Sequence, residues 1–160
     1  MKPALRQHGF TLIELMVTLT ILAVLASVAL PLSQIAATRT REEQLRQALW
    51  QMRSGIDAYK QAVDDGRVNK SLEDTGYPPD LKTLVDGVKD LKDPTGKKIY
   101  FLRRIPRDPF CDCPSKSDAE TWGLRSYASS ADSPEEGRDV YDVFSLSNGV
   151  GLNGSPYRKW

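Results

Sequence analysis

Gly9-Phe10-Thr11-Leu12-Ile13-Glu14 opens an apolar run that extends to Leu32 and follows a short leader carrying Lys2 and Arg6. As a helix rising about 1.5 Å per residue, Phe10 to Leu32 would measure roughly 34 Å, enough to cross the core of a bilayer. A secretory signal peptide has a shorter apolar region, about 7 to 15 residues, and ends in small residues before its cut. Here the far end is Leu30-Pro31-Leu32-Ser33, so the pattern predicts a membrane-spanning helix. Lys2, Arg6 and the initiator amine favour a cytoplasmic N-terminus by the positive-inside rule, with the chain from about Ser33 onward across the membrane. Arg39 and Arg41 on the far side weaken that charge count.

Glu14 is the anomaly within the run. An ionised carboxylate near a bilayer centre costs on the order of 2.5 to 3.5 kcal/mol, so an acid in a span calls for a functional partner. One reading is that Glu14, so close to the helix start, reaches the headgroup region. The other follows from a cut between Gly9 and Phe10: the new amine at Phe10 of one chain would neutralise Glu14 of a neighbour in a helical bundle. A buried charge is tolerable when paired and costly when alone.

Past the span, Leu45, Leu49, Met52, Ile56, Tyr59 and Val63 recur at alternating spacings of three and four residues and fade at Asp64-Asp65-Gly66. That is one apolar stripe on a charged helix, expected to pack on a core. Together with the span it predicts a helix of about 55 residues, against a mean of about 11 to 12. Beyond it, Gly76-Tyr77-Pro78-Pro79, Asp93-Pro94-Thr95-Gly96, Pro106, Asp108-Pro109 and Pro114 divide the chain into short pieces. A small helix is expected over Asp80–Val88, and strands over Arg125–Ser129 and Val140–Ser145. The remaining length suits one small domain. The expected fold class is α+β: a long helix packed on a small antiparallel sheet.

The Gly-Phe-Thr-Leu-Ile-Glu motif, behind a basic leader and before about twenty apolar residues, resembles the N-terminal signal of the type IV pilin and type II secretion pseudopilin superfamily. The resemblance implies that a membrane-embedded prepilin peptidase cuts after Gly9 and methylates Phe10, and that Glu14, fifth in the mature chain, acts in assembly. It assigns Pro31 to a helix break formed when subunits pack, consistent with the donor that proline lacks and the turn it clashes with. Gly76-Tyr77-Pro78 with Leu81 and Leu84, then Arg104 to Phe110, Trp122-Gly123, and Asp139 to Val143 with Ser145, are similar in order to the G-type, or major, pseudopilins. The implied organisation is a leader over 1–9, a transmembrane and assembly helix over 10–32, and a periplasmic pilin-like domain over 33–160 that includes the amphipathic half of the helix.

The resemblance also implies a calcium-binding loop near the C-terminus. This chain departs from it, because no acid follows Asp142 and calcium takes six to eight oxygens, usually with carboxylates among them. The expectation is no metal and no cofactor, with at most a weak site from Asn148, Asn153 and backbone carbonyls. Packing of Tyr157 and Trp160 is expected to pin the tail instead. Cys111 and Cys113 are the only cysteines. A bridge between them requires a turn, since consecutive same-face strand residues lie near the outer limit of disulfide Cα separation, about 6.8 Å. A loop staple and a free pair both remain open. Neither the spacing nor a neighbouring histidine supports zinc or haem.

His8, the sole histidine, lies in the leader, so a mature chain holds no Ser-His-Asp or Cys-His set. No enzyme activity is expected. The 22 basic and 21 acidic residues nearly cancel, which argues against a nucleic-acid binder. Lys97-Lys98 and Arg103-Arg104 are either contacts to neighbours or solvated charge. The function implied is a structural subunit of a pseudopilus that moves proteins across the outer membrane. Its partners would be further copies of itself, other pseudopilins, an inner-membrane assembly platform and the prepilin peptidase/methyltransferase. It would be anchored in the bacterial inner membrane. The alternatives are a major or minor pilin of a type IV pilus, and a membrane-anchored periplasmic binding subunit.

Overall fold

The computed structural model describes residues 9–71 and 74–160, apart from the side chains of residues 28–31. Helix α1 runs from Leu12 to Asp64. The chain divides into two compact units, one ending at Arg39 and one beginning at Thr40. In the first, the side chains from Phe10 to Leu25 are exposed all round the helix. A helix apolar on every side is one made for lipid or for other helices. It is the one helix among the described residues long and apolar enough to cross a membrane.

In the second unit, α1 contributes its amphipathic stripe. Leu45, Leu49, Met52, Ile56, Tyr59 and Val63 are all buried, joined by Ala48 and Ala62. The helix stops where glycine lets it. Gly66 has φ of 68°, its N–H bonds to the Val63 carbonyl, and the Arg67 N–H bonds to the Ala62 carbonyl. This pair of bonds is a Schellman closure, and it turns Val68 back onto the core.

Helix α2, Leu81–Asp86, is capped by Asp80, whose carboxylate accepts the Thr83 N–H at 2.7 Å. It buries Leu81 and Leu84. The rest of the domain is built from two antiparallel pairs. Strands β1 (Val88–Lys89) and β2 (Lys98–Ile99) form a short hairpin, and β3 (Trp122–Arg125) pairs with β4 (Asp142–Ser145). The core gathers the α1 stripe with Leu81, Leu84, Leu102, Trp122, Val140, Val143 and Tyr157. The architecture is α+β and pilin-like.

Three expectations shift. The small helix expected to reach Val88 ends at Asp86, where Gly87 with φ of 71° closes it, and Val88 opens β1. The strand expected over Arg125–Ser129 lies earlier, because the chain turns at Ser126, whose carbonyl accepts the Ser129 N–H. Its N-terminal half includes Gly123, which pairs with Phe144. A Cβ there would stand 2.4 Å from the Phe144 ring, so this glycine makes room for the ring and does not break the strand. The second strand begins at Asp142 rather than Val140, since the Val140 N–H bonds instead to the Pro78 carbonyl.

Candidate functional site

The N-terminal motif begins at Gly9 and Phe10, both exposed and N-terminal to α1. Thr11 caps the helix: its hydroxyl accepts the Glu14 N–H at 3.3 Å. Thr11-Leu12-Ile13-Glu14 therefore has the spacing of a capping box, with the acid on the first turn where the helix dipole favours negative charge. This role for Thr11 was available from the Ser/Thr-x-x-Glu pattern and was masked by the overlapping apolar run. The bond uses the backbone of Glu14, so the cap does not consume its carboxylate. Further along, hydroxyls turn inward on their own helix. Thr18 donates to the Leu15 carbonyl, Thr20 to that of Met16 and Ser27 to that of Val24, at 2.7 to 2.9 Å. Each of these hydroxyls thereby satisfies itself within the helix, as a lipid or apolar surrounding demands. In this single chain α1 is continuous through Pro31, whose side chain, like leader residues 1–8, lies outside the described residues.

The second constellation fastens the C-terminal tail to α1. Glu42 is 4% exposed, and its Oε1 accepts the Leu152 N–H at 2.7 Å and the Tyr157 hydroxyl at 3.1 Å. Tyr157 stacks on Phe110 with centroids 4.1 Å apart and meets Trp160 edge-on. Burial raises the Tyr157 pKa, and so do the bond to Glu42 and the Glu42 charge. The Arg53 guanidinium donates to the Trp160 carbonyl oxygen at 2.7 Å and to the Asp142 carboxylate at 2.8 Å. Arg46 lies over the Trp160 ring at 4.6 Å. The sequence pointed to Tyr157 and Trp160 but not to Glu42, which looks like one more charge on a polar helix face.

The other buried acids are also occupied by structural donors. Asp108 accepts the Ser145 hydroxyl at 2.6 Å and the Phe110 N–H at 2.8 Å. Asp139 accepts from the Thr75 hydroxyl, the Ser126 hydroxyl at 2.7 Å and the Tyr127 N–H at 2.9 Å. Burial pushes the Asp139 carboxyl upward, but these hydrogen bonds together outweigh it and leave its pKa below the ordinary value.

Cys111 and Cys113 form a disulfide with Cα atoms 5.3 Å apart, in a turn where the Cys111 N–H bonds to the Asp108 carbonyl. Arg107 grips the same loop through the Cys113 carbonyl and, at 2.9 Å, the Lys116 carbonyl. Among the described residues no group of three or more His, Cys, Asp or Glu side chains could hold a metal. In the tail loop the Asn153 side-chain oxygen accepts the Ser155 N–H, and the Ser147 hydroxyl accepts the Gly149 N–H.

Residues 5–30 match the prokaryotic N-terminal methylation motif. The matched residues take in the first part of the long helix of this pilin-like α+β fold. The chain is 30% identical over 109 residues to the type II secretion system core protein G of Dickeya chrysanthemi, covering 66% of this chain and 64% of that protein. The same protein of Pectobacterium carotovorum subsp. carotovorum is 30% identical over 109 residues, with 66% and 63% covered. That of Klebsiella michiganensis is 26% identical over 108 residues, with 65% and 68% covered. The chain thus spans a little under two thirds of the first two relatives. No solved structure matches it. In the motif and in these relatives the chain is similar to the type II secretion system core protein G.

Proposed function

We propose that this chain is a structural, non-catalytic subunit of a pseudopilus filament acting in type II protein secretion. The observation that carries the reading is the first stretch of α1: apolar on all sides, capped at Thr11, and carrying a single acid at Glu14. Such a surface is stable only in lipid or against other helices. The precursor sits in the inner membrane with its N-terminus in the cytoplasm and its domain in the periplasm. A prepilin peptidase cuts after Gly9 and methylates Phe10. Subunits then leave the bilayer through an assembly platform and pack by their apolar helices, with Glu14 paired to the Phe10 amine of a neighbour. Growth of the fibre does mechanical work on the exported protein, and no metal or cofactor takes part.

Intact-mass spectrometry of the protein extracted from membranes of cells containing a prepilin peptidase tests this. The expected mass lacks Met1 to Gly9 and carries one added methyl. A full-length, unmethylated mass would overturn the reading and leave an ordinary membrane anchor.

A further inference from the structure

We infer that the lysine-bearing hairpin β1–β2 docks on the acidic 132–136 loop of a second copy of this chain, an inference that rests on the filament reading and names one of its contacts. The hairpin places Lys89 directly opposite Lys98, and both are exposed, as are Lys92 and Lys97 in the connecting loop. Like charges directly opposed on a strand pair destabilise it. The hairpin's own acids do not relieve this. Asp90 is buried and bound to the Arg67 guanidinium at 2.5 Å. The Arg67 bond outweighs burial and lowers the Asp90 pKa. Asp93 accepts the N–H and hydroxyl of Thr95 at 2.8 and 2.6 Å. The Lys98 ammonium reaches a carbonyl, that of Asp86 at 3.1 Å, and no carboxylate.

Beside these lysines Tyr100 is 64% exposed, and Arg103 and Arg104 follow it in the open. Tyrosine and arginine are enriched among the residues that anchor interfaces. A cationic strand pair flanked by a bare aromatic ring is a surface lacking an anionic partner.

The chain supplies one. Asp132, Glu135 and Glu136 are all exposed in one short loop, which is tied down by the bond from the Ser126 N–H to the Glu135 carbonyl. Hairpin and loop share no residue, so the contact is heterologous, the hairpin of one copy meeting the loop of the next. Heterologous contacts that do not close into a ring propagate as an open helix, the symmetry a fibre requires. Charge complementarity of this kind chiefly sets register and selects the partner.

The test is fibre yield from cells producing the full chain, compared with the unaltered protein and with matched melting temperatures. Lys89→Glu with Lys98→Glu puts acid against acid, and so is expected to reduce fibres by roughly tenfold or more. Glu135→Lys with Glu136→Lys is expected to do the same. All four changes together restore the pairing with its sign reversed, and fibres return. Full fibre yield from either pair alone overturns the contact and leaves the filament reading intact. Loss without rescue in the fourfold variant also overturns it, and points to an anionic membrane or an exported protein as what the hairpin meets. Absence of fibres from the unaltered chain would overturn both.

Discussion

Glu14 occupies the third position of a helix whose first turn is capped by Thr11, and two different roles meet in it. As an acid on the first turn it stabilises the helix end by about 0.3 to 1 kcal/mol. As a carboxylate among apolar side chains it costs more than that unless it is paired. Glutamine separates the two, since it keeps the capping pattern and loses the charge. We expect Glu14→Gln, like Glu14→Ala, to reduce fibres sharply while leaving membrane insertion and the cut after Gly9 unchanged, as followed by fibre yield and by mass. Normal fibres from Glu14→Gln would show that assembly does not need the charge. Asp139 makes a prediction of a different kind. Its pKa is lower folded than unfolded, because its hydrogen bonds outweigh its burial. Its contribution is therefore fully present above the unfolded carboxyl value of about 3.9, and is lost as pH falls through the lower folded value. Asp139→Asn should lower stability at pH 7 by about 1 to 3 kcal/mol, since an amide cannot accept from all three donors at once. It should also flatten the acid limb of melting temperature against pH. An unchanged acid limb would mean that other carboxyls carry it.

Elements differed in how plainly the sequence announced them, and the reason is length. The α1 stripe spans five helical turns, and every residue assigned to it is buried, because a 3.6-residue period sustained over that length marks one face of a helix and fits no strand or loop. Helix α2 was legible from Asp80 and the prolines before it, which fix its start chemically. The hairpin β1–β2 was not legible. Two residues per strand show no alternation, and Asp93-Pro94-Thr95-Gly96 signals a turn without saying what it joins. The β3 strand begins earlier than the expected Arg125 and takes in Gly123, whose missing side chain leaves room for the Phe144 ring from across the pair. At the candidate site the same rule holds. Gly9, Phe10 and Glu14 belong to a compact local motif and stand out. Glu42 gains its meaning from Tyr157, 115 positions later in sequence, and no local pattern carries that information.

At the scale of the molecule, the question is what holds the C-terminal tail against the domain. Its closing contacts are Glu42 to the Leu152 N–H and the Tyr157 hydroxyl, Arg53 to the Trp160 carbonyl oxygen, and the stack of Tyr157 on Phe110. All run between side chains or backbone groups of the chain itself, and all lie within the unit that begins at Thr40. Burying one aromatic side chain contributes about 1.5 to 3 kcal/mol, and leaving a buried carboxylate short of a donor costs about 1 to 3 kcal/mol more. Against a total domain stability of about 5 to 15 kcal/mol, the clip is a large fraction. Deleting residues 156–160 should therefore lower the melting temperature of the detergent-extracted chain by roughly 10 °C or more. Glu42→Ala should reproduce part of that loss. A chelator at millimolar excess should leave the unaltered protein's melting curve where it was, since the tail offers no carboxylate to a cation. A chelator-induced drop as large as that of the deletion would mean that a metal, and not Glu42 with the aromatic pair, closes the domain.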